Sequence, residues 1–201
     1  MKICRAAWVF SATLFPLLAF AGSQDASTAS EELNPPRFEI AAESGYLLGA
    51  FDNPNSYEIG AELISGRVRW GLNDNKGWLR GYNQFCITAM AEPIFRGVEN
   101  HYFGVNFGAR YNFVQPNSRL VPYFSGGLGL GWIDSHPNVS GAQGQDFTFN
   151  ILTAAGLSCH LTENWKISAG ILYQHLSNGG QTDPNPSLNL FGPQIGVSYS
   201  F

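Results

Sequence analysis

Apolar residues recur at every second position through most of the chain. In the segment 100–114, Phe103, Val105, Phe107, Ala109, Tyr111 and Phe113 share one parity, while Tyr102, Gly104, Asn106, Gly108, Arg110 and Asn112 share the other. The same split sets Phe38, Ile40, Ala42, Tyr46 and Leu48 against Arg37, Glu39, Glu43 and Gly45. It sets Phe147, Phe149, Ile151, Ala155 and Leu157 against Thr148, Asn150, Gly156 and Ser158, and Phe191, Ile195, Val197, Tyr199 and Phe201 against Gln194, Gly196, Ser198 and Ser200. A period of two is the signature of a strand with unlike faces. The pattern predicts eight strands, over 37–51, 57–71, 78–97, 100–114, 121–134, 147–161, 165–177 and 189–201. Breakers separate them, among them Asp52-Asn53-Pro54-Asn55, Gln115-Pro116-Asn117 and Thr162-Glu163-Asn164. Segments two and three alternate less cleanly, and Ser65-Gly66 reads as a bulge.

The polar faces carry glycines and other small residues, which suits the crowded interior of a small barrel rather than the outside of a soluble sandwich. Composition narrows the class further. Charged residues are 13% of the chain against 14% aromatics, with 23 glycines, where about a quarter charged is usual in a soluble domain. No long apolar run follows the amino-terminal segment, so helical spans are excluded. The expected fold is an all-β, eight-stranded antiparallel transmembrane barrel of the bacterial outer membrane, with no pore to speak of. The closing Val197, Tyr199 and Phe201 resemble the carboxy-terminal signature of such barrels.

The ends of the chain set its compartment. Lys2 and Arg5, the apolar run Ala6–Phe20 and the Ala19-Phe20-Ala21 motif describe an export leader over 1–21. Residues 22–36 read as a polar periplasmic tail and 37–201 as the barrel domain. Loss of Lys2 and Arg5 leaves nine basic residues against fifteen acidic ones, which argues against nucleic-acid partners. Of the cysteines that remain, Cys86 and Cys159 fall on opposite faces and read as two free thiols rather than a disulfide.

Candidate chemistry lies on the seventh segment. Trp165, Ile167, Ala169, Ile171, Tyr173, His175 and Ser177 share one parity, so an imidazole and a hydroxyl stand on an otherwise apolar, lipid-facing stripe. Such side chains are roughly 7 Å apart at Cβ and can lean together. A serine needs a base to take its proton, and the base needs a third group to hold its tautomer. Asn189 has the lipid-facing parity of the eighth segment and lies opposite or diagonal to the pair if the two strands form a hairpin. With the amino terminus in the periplasm, the seventh strand ends outward, at the external leaflet. His101, His136 and His160 lack a serine or carboxylate at useful spacing and form no metal-ligand cluster, so neither metal nor cofactor is expected. The charges Glu39, Glu43, Glu58, Glu62, Arg80, Glu92 and Arg110 read as an interior packing network.

Residues 173–201 are similar to the lipid A 3-O-deacylases, the PagL-like acyloxyacyl hydrolases of Gram-negative outer membranes. The similarity rests on His175-Leu176-Ser177-Asn178, on Pro184-Asn185 nine and ten residues beyond the histidine, and on the terminal aromatic strand. It is looser upstream, at Arg110-Tyr111-Asn112-Phe113 and Pro122-Tyr123-Phe124. The resemblance implies an esterase that removes the 3-linked acyl chain of lipid A in lipopolysaccharide, with Ser177 as nucleophile and His175 as base. It also implies that Asn178, with backbone N–H groups at Gly179 or Gly180, serves the oxyanion. The family pattern has a glutamate fourteen residues after the histidine, where this chain has Asn189; Asp183 is the nearest loop carboxylate. Expected partners are lipopolysaccharide and outer-membrane lipid, with the chain a monomer or homodimer. Two other functions fit the residues: a non-catalytic barrel, either adhesin or membrane-organising protein, and a phospholipase of the same leaflet.

Overall fold

Eight antiparallel strands form a closed barrel in the computed structural model, which describes residues 35–49, 56–75 and 77–201. The expected leader and all but the last two residues of the expected tail lie outside the described residues. The strands are β1 (Phe38–Gly49), β2 (Glu58–Asn73), β3 (Gly81–Arg96), β4 (His101–Phe113), β5 (Leu120–Ile133), β6 (Phe147–His160), β7 (Trp165–Ser177) and β8 (Leu188–Ser200). Each pairs with its sequence neighbours, and β1 closes on β8 from Glu39↔Ser200 to Gly49↔Leu190. The Phe201 N–H donates to Phe38 O at 2.9 Å, so the final residue completes the seam.

The period of two holds round the ring. Ile40, Phe107, Leu128, Ile171 and Ile195 are exposed on the outer wall, while Glu39, Arg67, Gln84, Asn106 and Gln174 are buried in the lumen. A wall of exposed apolar side chains around a polar interior is the inverse of a soluble protein, and this is a transmembrane barrel. Aromatic rings mark both rims. Phe38, Phe201 and Tyr199 stack, with Trp165 tilted against Tyr199, at the end where β1 begins and β8 finishes. At the other end, which carries the β1–β2, β3–β4, β5–β6 and β7–β8 connections, Tyr46 stacks on Phe95, and Phe147 meets Trp132 and Phe149 edge-on.

Side chains fill the lumen. Arg67 reaches Glu39 at 2.9 Å and Glu43 at 2.7 Å, Lys166 pairs with Glu39, and Arg110 lies 3.5 Å over the Tyr123 ring. Higher up, Asn106, Asn150 and Tyr102 are hydrogen-bonded in series. They fit because β5 presents backbone alone: a Cβ at Gly127 would stand 2.1 Å from Asn106 Oδ1, and one at Gly129 2.7 Å from Asn150 Oδ1. A lumenal void of about 40 Å³ remains between Arg67, Asn106, Arg110 and Gln194, room for roughly one water.

Some details differ from the sequence reading. Glu58 and Glu62 face outward, where they accept hydrogen bonds from Tyr46 (2.5 Å) and Ser44 (2.8 Å), because the parity of β2 puts Ile59, Ala61, Leu63, Ser65 and Arg67 inside. Arg67 and Lys166 join the interior network instead. Ser65 and Gly66 pair regularly with Thr88 and Ile87; the register breaks fall between Glu58 and Ile59 and between Arg69 and Gly71. Cys86 and Cys159 are free. Removing Arg67 takes the closest cation from Glu43 and leaves Glu39 with Lys166 alone, so Arg67→Ala is expected to destabilise the barrel by about 3 kcal/mol. Urea unfolding in detergent micelles measures this, and Arg67→Ala combined with Glu43→Ala will recover part of the loss.

Candidate active site

β7 and β8 form a hairpin in which His175 is the direct partner of Asn189. Their shared parity turns both side chains to the outer wall, and Ser177 follows on the same face at the tip of β7. All three are half-buried. The surrounding wall is apolar: Ser177 pairs with Phe149, His175 with Ile151, and Tyr173 with Phe191. A hydroxyl and an imidazole thus stand at the upper rim of a surface shaped for hydrocarbon.

The imidazole is fixed on one side. His175 Nδ1 lies 2.8 Å from Asn189 Oδ1, and the Tyr173 hydroxyl donates to the same oxygen at 2.8 Å. An amide oxygen accepts, so Nδ1 carries the proton and Nε2 is left as a base. Among the described residues no hydrogen bond joins Ser177 to His175, and Asp183 makes no ion pair with the ring.

The loop that follows Ser177 is held by its own polar groups. Asn178 is fully buried. Its N–H donates to Asn185 Oδ1 at 2.9 Å, and its Nδ2 donates to Thr182 O at 2.7 Å and Pro184 O at 3.3 Å. Its Oδ1 accepts from the Gly180 N–H at 2.9 Å. The two groups expected at an oxyanion, the Asn178 amide and the Gly180 N–H, are therefore engaged within the loop. Gly179 and Gly180 have φ of 68° and 73°, a region glycine enters without penalty. The Gly179 N–H has no partner among the described residues, and a Cβ on Gly179 would stand 3.1 Å from the Phe149 ring.

Sequence reasoning missed several contributors. Tyr173 was legible in principle, since it precedes His175 by two on the same face. Asn185 was visible only as part of a motif. The packing of 134–146 on the loop, through Gly144 N–H to Pro184 O at 2.7 Å, left no local signal. His101 and His136 do have a carboxylate neighbour: Asp134 lies 3.7 and 3.9 Å from their rings. Burial pushes the Asp134 carboxyl up, but hydrogen bonds from Asn100 and the His101 N–H outweigh it and hold it below the usual range. His160 sits at the opposite rim, on the last residue of β6.

Fold and site together define a small membrane-spanning barrel that carries a histidine–amide pair and a serine on its lipid face. The family model for "Lipid A 3-O-deacylase (PagL)" matches residues 57–198, and the chain belongs to that family. No curated protein matches the sequence. Among solved structures, the chain is similar in fold to the outer membrane enzyme PagL (TM-score 0.60, 18% identity, 79% of this chain and 97% of that one). It is also similar to Neisserial surface protein A (0.61, 16%, 82% and 97%). A third likeness is to the N-terminal β-barrel domain of Pseudomonas aeruginosa OprF (0.51, 19%, 83% and 98%).

Asn189 sets the His175 tautomer. Nitrogen-15 NMR of the neutral imidazole will show Nδ1 protonated and Nε2 bare, and Asn189→Leu will give a mixture of both tautomers.

Proposed function

We propose that the protein is an outer-membrane serine esterase that removes the 3-O-linked acyl chain of lipid A, with its loop end toward the external leaflet. The observation that carries this reading is the His175–Asn189 bond on the outer wall, beside Ser177, in a chain of the deacylase family. Polar groups on a lipid-facing wall are costly and call for a function. Here they sit where the ester of a lipid embedded in the same leaflet can reach them.

In this reading Ser177 Oγ attacks the acyl carbonyl while His175 Nε2 takes its proton. The seryl–imidazole contact is absent without substrate and forms when the ester seats, as catalytic hydrogen bonds commonly do. The tetrahedral intermediate collapses, the sugar C3 oxygen leaves with the proton from His175, and the acyl chain stays on Ser177. Water, deprotonated by the same imidazole, then releases the chain as a carboxylic acid and restores Ser177. The Gly179 N–H is the open donor for the oxyanion, and Asn178 holds the turn that aims it. A donor so placed is worth roughly 3 kcal/mol. Phe149, Ile151 and Phe191 give the acyl chain its apolar wall.

A non-catalytic barrel is the second reading, and Asn189 is the observation that favours it. An amide holds the tautomer but adds no charge to stabilise an imidazolium. Mass spectrometry of lipid A from cells making each variant decides between them. Ser177→Ala and His175→Ala are expected to lower deacylation roughly a thousandfold or more. Undiminished release from Ser177→Ala removes the esterase reading. Asn189→Glu supplies the missing charge and is expected to raise kcat by about tenfold or more. Purified phospholipid, offered in place of lipopolysaccharide, is expected to yield little product.

A further inference from the structure

A buried carboxylate at the loop end has no place in the chemistry above. Glu99, in the short β3–β4 connection, is 2% exposed, and the four connections at this end (50–57, 97–100, 134–146 and 178–187) contain no lysine or arginine. A buried carboxylate costs several kcal/mol unless strong donors meet it. Two do. The Tyr57 hydroxyl donates to Oε2 at 2.6 Å, and the Gln143 backbone N–H donates to Oε1 at 2.8 Å. Tyr57 lies just before β2 and is 1% exposed; burial, with Glu99 beside it, holds its phenol well above the usual range, so it remains a donor.

The hydrogen bonds continue across the top of the barrel. Gln143 Nε2 donates to Pro186 O at 3.1 Å, and the Gly144 N–H donates to Pro184 O at 2.7 Å. The fit is tight, for a Cβ on Gly144 would stand 2.7 Å from the Asp183 carbonyl carbon and oxygen. Pro184 O also accepts from Asn178 Nδ2, and Asn185 Oδ1 accepts the Asn178 N–H. An unbroken series thus runs from the foot of β2 through Glu99 and the 134–146 loop to the residue after Ser177.

We propose that Glu99 is a positioning residue for the esterase site: it seats the 134–146 loop, which clamps the 178–187 loop and so fixes the Asn178–Gly180 turn. This rests on the esterase reading and adds a remote determinant to it. A carboxylate suits the task because it accepts from both donors at once, and among the described residues no cation pairs with it.

The test uses the full barrel with Glu99→Gln, Asn178→Ala and both together, each checked for folding by its mobility on unheated gels. If Glu99 acts through Asn178, Glu99→Gln will lower kcat about tenfold with KM within twofold. The double variant will be no slower than the slower single one, as expected of two residues in one network. Hydrogen exchange of amides 178–182 will quicken about tenfold in Glu99→Gln while the strands stay protected. Additive losses, or unchanged kcat and exchange, overturn the proposal. Exchange needs no activity, so loop coupling is judged even if Ser177→Ala matches the unmodified protein and the esterase reading falls. Tyr57→Phe, which removes one donor, is the milder variant should Glu99→Gln fail to fold; a smaller change in the same readouts is expected, and none at all counts against the series.

Discussion

Closure of β1 on β8 is the constraint from which the remaining features follow. Hydrocarbon offers no partner for a backbone N–H or C=O, so a sheet in a membrane must pair every edge. Once the seam from Glu39↔Ser200 to Gly49↔Leu190 is made, parity is no longer free at any position. A slip of one residue on any strand turns its apolar stripe inward and its lumenal polar side chains to lipid. The ion pairs of Arg67 and Lys166 and the close fit at Gly127 and Gly129 of β5 reinforce that choice from inside. The position of His175, Ser177 and Asn189 on the outer wall is therefore a property of the whole ring.

The same parity gives the site its character. A soluble esterase shapes a pocket and excludes water from it. Here the apolar surroundings are the membrane and the rings of Phe149 and Phe191, and the protein supplies a few polar atoms at the edge. Few contacts are available to hold them. The His175 ring has Asn189, which Tyr173 shares, and the turn after Ser177 has the hydrogen bonds of its own loop and those that reach it from 143–145. An amide partner orients the ring without charge, so the esterase proposed above would depend on geometry for its rate.

The barrel was legible because each strand carries its own record: β7 was read residue for residue, and the other boundaries shifted by at most three residues. β2 was harder. Glu58 and Glu62 look like lumenal charges until one sees Ser44 and Tyr46 beside them on the outer wall. The His175–Asn189 pairing was also legible, since a hairpin converts a spacing along the chain into a contact across it. The role of Asn178 was not, because its amide is consumed by Thr182 and Pro184, and nothing in the spacing says where a loop folds back. Glu99 was invisible for a stronger reason. Its partners are 42 and 44 residues away, in segments without periodicity, and only a three-dimensional arrangement brings them together.

The packed lumen has one more implication. With Arg67, Arg110, Tyr123 and Gln194 filling the bore, the void left near Arg67, Arg110 and Gln194 is only about 40 Å³, and the described residues leave no open channel there. For the esterase proposed above, a lipid substrate would arrive and depart sideways, within the plane of its own leaflet. A bore packed in this way adds little room for small solutes to cross, so the reaction proposed on the wall would be uncoupled from leakage through the barrel.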